Sequence, residues 1–233
     1  MALPSLLLVP GSWHKSGHMK RLVDELSDVD VHTVDLTSSG DDPATLGDMY
    51  EDAAQIAAAV AAIDGPVVVC AHSYGGIPVT QALAGASNVK RIVYLAAFLL
   101  DVGESMLSSV GGTPAPWWKI NSTDGEKYVE ALDPVEIFYG DVDPDLAQEA
   151  VSQLGYTSYS ANVQKQTEVA WKTIPSTYVI CEADNAFPPF AQDLFAQRAG
   201  RIHRMNTSHS PFLSQPAALA QILRDELASA DVR

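Results

Sequence analysis

Ser73 lies in the stretch AHSYGG, where a short apolar run ends and a helical pattern begins. The residues two positions before and after it are Ala71 and Gly75, and both are small. A strand, a sharp turn and a helix with small residues at these positions form a nucleophile elbow, which holds its serine in a strained backbone conformation. The pattern predicts Ser73 as a nucleophile, with a purely structural turn as the alternative.

A serine hydroxyl is a weak nucleophile unless a base takes its proton. In a strand–turn–helix context of this kind, the acid and then the histidine follow the serine along the chain. Two histidines follow Ser73: His203 lies in a strand-like run, whereas His209 lies in the loop NTSHSPF. We prefer His209 as the base, because a loop lets its side chain reach over the strand ends.

A carboxylate is needed to orient such a histidine and to stabilise its cationic form. Asp184 stands just past the apolar stretch STYVIC, in a turn after a predicted strand. It is therefore the preferred acid. Glu182, nearer that strand, and Asp101, which follows another apolar run, are the alternatives.

Two backbone amides are the predicted donors to the oxyanion that forms when a carbonyl group is attacked. One belongs to Tyr74, directly after the nucleophile, and the other to Ser12, in the loop after the first apolar run. Gly11 lets this loop turn toward the site, although a plain turn residue is the alternative.

Short apolar runs alternate with longer stretches of helical period along most of the chain. This alternation predicts an α/β fold with a mostly parallel, doubly wound sheet whose strands are covered on both faces. The predicted strands are residues 5–9, 30–34, 66–71, 91–97, 177–181 and 201–206, and the predicted helices are residues 17–27, 46–63, 75–86, 190–199 and 215–230.

Residues 101–172 interrupt this alternation, with turn-rich segments, no strong buried strand and weak helical patterns at residues 143–154 and 159–171. We interpret them as a mainly helical cap inserted into a core domain of residues 1–100 and 173–233, with a continuation of the same domain as the alternative. We expect an apolar substrate pocket beneath the cap, although the cap's own core would also use such side chains. The candidate lining residues are Trp13, His72, Phe98, Trp117 and Phe212. For His72, which flanks the nucleophile, a purely structural role is an equal alternative.

The composition narrows the classes of function. The 233 residues carry 29 acidic and 14 basic side chains, and the net charge of −15 repels nucleic acids and anionic membranes. The first residues lack the basic region of a secretory signal, and no apolar run is long enough to span a bilayer. Cys70 and Cys181 lie in apolar runs without metal-type spacing. They are predicted to be buried free thiols, with a disulfide as the alternative, and free thiols fit a reducing cytoplasm. The expected partner is a small-molecule substrate, and the expected state is a monomer or homodimer.

The chain resembles the α/β-hydrolase superfamily, and within it the small bacterial esterase-like hydrolases related to plant methylesterases and hydroxynitrile lyases. The resemblance covers nearly the whole chain and rests on LLLVPGSWH, AHSYGG, YLAAFLLDVGES, IPSTYVICEADNAFPP and SHSPFLSQP. It implies the α/β-hydrolase fold, a catalytic triad at Ser73, Asp184 and His209, and an oxyanion hole at Ser12 and Tyr74. It implies neither a metal nor an organic cofactor.

Two positions depart from the pattern of these relatives. Pro10 stands where members often have a histidine, so a hydrogen bond behind the oxyanion loop is lost. Ser210 stands where the plant lyases have a lysine, so a cyanide leaving group lacks its cationic partner and lyase activity is disfavoured.

The expected function is hydrolysis of a small carboxylic ester through an acyl-enzyme intermediate. A lactonase, a C–C hydrolase or a perhydrolase would use the same three residues. A non-catalytic ligand-binding protein on a hydrolase scaffold is the alternative from a different class, since a fold alone does not prove turnover.

Overall fold

Two sheets contain the ten strands that the computed structural model shows in residues 3–230, the part of the chain that it describes. The strands are β1 (Ser5–Val9), β2 (Val31–Thr33), β3 (Ser39–Gly40), β4 (Val67–His72), β5 (Val89–Leu95), β6 (Trp118–Thr123), β7 (Glu126–Ala131), β8 (Tyr156–Ser158), β9 (Ser176–Cys181) and β10 (Arg201–Met205). The α-helices are α1 (Lys20–Glu25), α2 (Met49–Ala61), α3 (Gly76–Ala82), α4 (Met106–Ser109), α5 (Pro134–Phe138), α6 (Pro144–Ser152), α7 (Tyr159–Val163), α8 (Pro189–Ala196), α9 (Pro211–Ser214) and α10 (Pro216–Ala230).

The larger sheet is parallel and has the strand order β10-β9-β5-β4-β1-β2. Its strands lie within two residues of the six predicted from the sequence. Parallel strands all end at the same edge of a sheet, which is where sites in α/β folds are built. The residues that follow β1, β4, β9 and β10 include Ser12, Ser73, Asp184 and His209. All four therefore belong to one edge.

Helices cover both faces of this sheet. Alternate residues of the central strands enter two separate apolar clusters, so that Leu7 and Val69 face one cluster while Leu6 and Val68 face the other. Helices α2, α3 and α8 contribute to the first cluster, and α1 and α10 contribute to the second. The sheet is therefore doubly wound, as the alternation of patterns predicts.

The smaller sheet is antiparallel, with the order β3-β8-β7-β6, and lies mostly within residues 101–172. The sequence pattern predicts helices in this segment, and the β6–β7 hairpin was not expected. Asp124 and Gly125 at its turn have φ angles of 49° and 88°, and an Asp-Gly pair favours this geometry in two-residue hairpin turns. The Asp124-Gly125 pair was therefore the sequence signal from which the hairpin could have been predicted. The helix expected at residues 159–171 is also shorter, because α7 ends at Val163.

The segment of residues 101–172 packs closely against the rest of the chain. Strand β3 precedes the segment yet pairs with β8, and the Ser158 N–H donates to the carbonyl oxygen of Ser38 at 2.8 Å. Val129 and Phe138 of the segment enter the same apolar cluster as Leu6 of β1. The two parts thus share the smaller sheet and an apolar cluster. The division into a core and a cap stays a prediction.

Cys70 and Cys181 are buried free thiols, as predicted. Burial raises the pKa of Cys70 to about 12, so this thiol, three residues before Ser73, is not a competing nucleophile. No helix in residues 3–230 combines the length and the apolar character that crossing a membrane requires.

Candidate active site

Ser73 stands at the sharp turn between β4 and α3. Its φ angle is 53°, in the left-handed region that costs free energy for any residue except glycine. The Ser73 carbonyl accepts a hydrogen bond from the Phe98 N–H at 3.2 Å, which helps to hold the turn in place. The geometry is that of a nucleophile elbow, with the serine presented at the carboxyl edge of the sheet.

The turn is crowded, and this explains the small residues around Ser73. A Cβ atom on Gly75 would lie 2.4 Å from the carbonyl oxygen of Pro10. A Cβ atom on Gly11 would lie 2.7 Å from the Cβ atom of Ser73. Both distances are shorter than real Cβ contacts, so glycine is required wherever the loop after β1 meets the elbow.

Asp184 and His209 form a buried pair at the ends of β9 and β10. The Nδ1 atom of His209 lies 2.7 Å from Oδ2 of Asp184, with side-chain exposures of 3% and 0%. Because a carboxylate only accepts hydrogen bonds, the hydrogen of the neutral ring lies on Nδ1. Nε2 is then left with its lone pair, which is the form that a general base needs.

The Asp184 carboxylate is fixed by three further donors. Oδ1 accepts from the N–H groups of Ala186 and Phe187, both at 2.8 Å, and Oδ2 accepts from Nε2 of Gln192 at 3.0 Å. These bonds satisfy a carboxylate that burial alone would penalise. Gln192 was not predicted from the sequence, since no local motif marks a glutamine on α8 as a partner of Asp184.

The alternative catalytic residues are engaged elsewhere. His203 lies on β10 with its Nε2 atom 3.0 Å from Oε1 of Glu226, which is on α10. Asp101 pairs with Lys172 at 2.6 Å and Glu182 pairs with Arg204 at 3.4 Å, both on the surface. Among the described residues, Asp184 is the carboxylate that bonds His209.

Ser73 and His209 face the same cavity, of about 840 Å³. Trp13, Phe98 and Trp117 also line it, so the structure places these three candidates on the pocket wall. Trp118, which was not among the candidates, lines the cavity too. The candidate nucleophile therefore faces a largely apolar cavity with several aromatic side chains.

His72 and Phe212 do not lie on this wall, and the prediction for them is corrected. Side chains alternate along β4, so His72 points to the face opposite its neighbours, where it is fully buried. Its Nε2–H donates to the carbonyl oxygen of His209 at 2.9 Å, and the Phe212 ring packs edge-on against it at 4.9 Å. His72 thus lies outside the cavity wall and holds the loop that carries His209 by this hydrogen bond.

The Tyr74 side chain anchors the residue whose amide follows the nucleophile. Its hydroxyl donates to Oδ2 of Asp52 at 2.8 Å, and the same carboxylate accepts from Thr37 Oγ1 and from the Ser38 N–H. Burial raises the pKa of the Tyr74 hydroxyl, so it stays protonated and continues to donate. The backbone of Tyr74 is thereby held next to Ser73.

His14 orients the second predicted amide, that of Ser12. The His14 N–H donates to the carbonyl oxygen of Gly11 at 3.3 Å, and the Ser12 N–H belongs to the same planar peptide and points the opposite way. The Nδ1 atom of His14 lies 2.9 Å from the carbonyl oxygen of Ser12, and its Nε2 atom lies 2.9 Å from the Tyr139 hydroxyl. Because a carbonyl oxygen only accepts, Nδ1–H donates to Ser12 and the Tyr139 hydroxyl donates to Nε2.

Residues 101–172 hold this loop at two further points. The indole Nε1–H of Trp13 donates to the carbonyl oxygen of Val129 at 2.9 Å, and the Gly155 N–H donates to the carbonyl oxygen of Trp13 at 2.9 Å. Trp13 itself has a φ angle of 64°. The bond between His14 and Tyr139 was not predicted from the sequence, because 125 residues separate the two partners.

A family model for alpha/beta hydrolases matches residues 6–222. This chain belongs to the alpha/beta-hydrolase family. Alpha/beta hydrolase nvfD from Aspergillus novofumigatus is 29% identical over an alignment of 248 positions, which covers 97% of each chain. Two solved structures share the fold. A pyrethroid hydrolase from Sphingobium faniae is 21% identical, with a TM-score of 0.80 over 97% of this chain and 98% of that one. Methylesterase MES16 from Arabidopsis is 20% identical, with a TM-score of 0.82 over 97% of this chain and 100% of that one. The predicted fold class and the membership of the alpha/beta-hydrolase superfamily are confirmed, and the methylesterase has the same fold.

Three buried histidines are expected to make the stability of this alpha/beta hydrolase depend on pH. Burial lowers the pKa of His14 and of His72 well below the ordinary value, and it also lowers the pKa of His18. Below about pH 6.5 the unfolded chain binds a proton at each histidine while the folded chain does not. We therefore expect the free energy of unfolding to fall on acidification by about 1.4 kcal/mol per pH unit for each histidine.

The test is urea unfolding of the wild type and of His14→Asn between about pH 7.5 and about pH 5.5. The variant has lost one of these buried histidines, so its free energy of unfolding is expected to fall less steeply. Parallel pH dependences of the two proteins would contradict the assignment of His14 as a buried neutral residue.

Proposed function

We propose that this alpha/beta hydrolase cleaves small-molecule carboxylic esters, with Ser73 as nucleophile, His209 as general base and acid, and Asp184 as the orienting carboxylate. The observation that carries the proposal is the buried bond between Asp184 and Nδ1 of His209 at the sheet edge where Ser73 is held at a positive φ angle. The aromatic cavity that Ser73 and His209 share supplies a place for the substrate.

The reaction follows from these positions. Oγ of Ser73 attacks the ester carbonyl carbon while Nε2 of His209 takes the hydroxyl proton. The Ser12 and Tyr74 amides donate to the developing oxyanion, and Asp184 stabilises the imidazolium. The C–O bond to the alcohol breaks as Nε2 returns the proton to the leaving oxygen, which gives the acyl-enzyme. Water, deprotonated by His209, then releases the acid and restores Ser73.

Turnover of simple activated esters tests the proposal directly. We expect p-nitrophenyl butyrate to be hydrolysed well above the rate in buffer, and p-nitrophenyl phosphate, which lacks a planar carbonyl group, to remain uncleaved. γ-Butyrolactone, followed by acid release, distinguishes a lactonase. No acceleration with any carboxylic ester would overturn the proposal.

The surroundings of the enzyme are proposed from its thiols. Cys70 and Cys181 are free and buried, which suits a reducing compartment, and we propose that the enzyme acts in the cytoplasm. We also propose that it is a monomer or homodimer. Its proposed partner is the small-molecule substrate alone, because the charge of −15 disfavours nucleic acids and anionic membranes.

His14 is expected to act on kcat through the Ser12 amide. His14→Leu removes both ring contacts of the oxyanion loop, and kcat for p-nitrophenyl butyrate is expected to fall about tenfold to a hundredfold with a smaller change in KM. The reason is that the amide stabilises charge present in the transition state but not in the bound ester.

His14→Asn is the matched control for this prediction. Its amide nitrogen replaces Nδ1 as donor to the Ser12 carbonyl, and kcat is expected to stay within about threefold of the wild type. Tyr139→Phe, which removes the hydrogen bond to Nε2, is expected to lie between the two. An equal loss in His14→Asn and His14→Leu would show that His14 does not act through its Nδ1 bond.

A further inference from the structure

The cavity above Ser73 is larger and more apolar than the attack on an ester group requires. Its volume of about 840 Å³ lies in the range of pockets that enclose drug-sized ligands. Most of its wall is apolar, with aromatic rings from Trp117, Trp118, Phe138 and Phe187. An acetyl or methyl group would leave most of this surface in contact with water.

The mouth of the cavity is also apolar. Val110, Phe190 and Leu194 line the cavity and are nevertheless 45%, 73% and 64% exposed. Phe190 and Leu194 lie four residues apart on α8, so they share one face of that helix. Solvation of three such side chains is unfavourable without a ligand. Together they form a rim that continues the apolar wall to the surface.

The charged side chains on the wall neutralise each other. Arg198 donates to both carboxylate oxygens of Glu104, at 2.7 and 2.9 Å, and also to the carbonyl oxygen of Leu99 at 2.7 Å. Such a bidentate pair leaves little net charge for a ligand to recognise. Apart from His209, these two are the ionisable groups on the described cavity wall. A substrate with a charged tail would lose its hydration there without gaining a partner.

We propose that the substrate is an uncharged ester whose apolar part, an aryl group or a chain of about eight carbons, reaches from Ser73 to the rim of Val110, Phe190 and Leu194. This inference rests on the proposed esterase function and adds the substrate class. The continuity of the rim with the cavity of Ser73 favours substrate over a protein partner as its occupant. Substrate binding buries the exposed rim and leaves the Glu104–Arg198 pair intact.

Three p-nitrophenyl esters test the class: the acetate, the octanoate, and the monoester of suberic acid, which has the octanoate chain length but ends in a carboxylate. Each methylene group that leaves water contributes about fourfold to binding. We expect kcat/KM for the octanoate to exceed that for the acetate about fiftyfold or more, as burial of half the additional methylene groups implies. We expect the suberate monoester to be at least about thirtyfold poorer than the octanoate.

The double variant Phe190→Ser/Leu194→Ser tests the rim. Both side chains are exposed, so folding is not at risk, and the ratio of kcat/KM for octanoate to that for acetate is expected to fall about fivefold or more. Ile120→Ser is the control, because Ile120 is 41% exposed on β6 and lies outside the cavity wall. The ratio of kcat/KM for octanoate to that for acetate in Ile120→Ser should equal the ratio in the wild type.

The outcomes separate this inference from the function on which it rests. Hydrolysis of the acetate as efficiently as the octanoate, or an unchanged ratio in the double variant, would overturn the proposed substrate class and leave the esterase proposal standing. Equal turnover of the octanoate and the suberate monoester would overturn the requirement for an uncharged substrate. If none of the three esters is hydrolysed, both the substrate class and the esterase function are overturned.

Discussion

Ser73→Ala is expected to lower kcat for p-nitrophenyl butyrate by about 10⁴-fold or more. Without Oγ no acyl-enzyme forms, and the remaining groups help only a direct attack by water. The loss is expected in kcat and in kcat/KM alike, because KM depends on the cavity wall. Stopped-flow and steady-state release of p-nitrophenol measure the two constants.

The Ser73→Ala protein is expected to remain folded. Alanine has the same Cβ atom as serine, so the backbone at φ 53° and the contacts of Gly11 are retained. Its melting temperature should match that of the wild type. Ser152→Ala, at an exposed position of α6, is the matched control and should keep full activity. Turnover within about tenfold of the wild type in Ser73→Ala would place the nucleophile elsewhere.

Asp184→Asn is expected to lower kcat by about 10³-fold to 10⁴-fold with little change in KM. The four groups that contact this carboxylate, two backbone N–H groups, Nε2 of Gln192 and Nδ1 of His209, are all donors. An asparagine amide must direct its own N–H₂ group at one of them. If that partner is Nδ1, the His209 hydrogen moves to Nε2, and the ring then presents a donor rather than a base to Ser73.

Asp101→Asn is the matched control for this substitution. Asp101 was an alternative acid by position in the chain, but it pairs with Lys172 on the surface. Its replacement is expected to leave kcat within about twofold of the wild type, since exposed ion pairs contribute little. A loss in Asp101→Asn equal to that in Asp184→Asn would contradict the assignment of the acid.

The parallel sheet and the position of the three candidate residues at its edge were predictable because the signals for the strands and for the elbow are local. Apolar runs such as residues 66–71 predict buried strands, and chain order in a parallel sheet then brings Ser73, Asp184 and His209 to the same edge. The elbow adds its own requirement for small residues, which the close approach of Pro10 to Gly75 explains.

The supporting contacts were not predictable in the same way. The bond between His14 and Tyr139 and the bond between His72 and the His209 carbonyl join residues more than a hundred positions apart. They depend on how the loops and residues 101–172 pack, which no local pattern encodes. The two roles left open for His72 could not be separated from the sequence, because the direction of its side chain follows from the face of β4 on which it lies, and not from its position beside Ser73.

The convergence of Ser73, His209 and Asp184 is tested most directly by reaction with a fluorophosphonate followed by peptide mass mapping. The account predicts one phosphonyl group per chain, attached to Ser73 with loss of fluoride, no labelling of Ser73→Ala, and slow labelling of His209→Ala and Asp184→Asn. Rapid labelling of Ser73→Ala, or labelling of the wild type at a different serine, would contradict it.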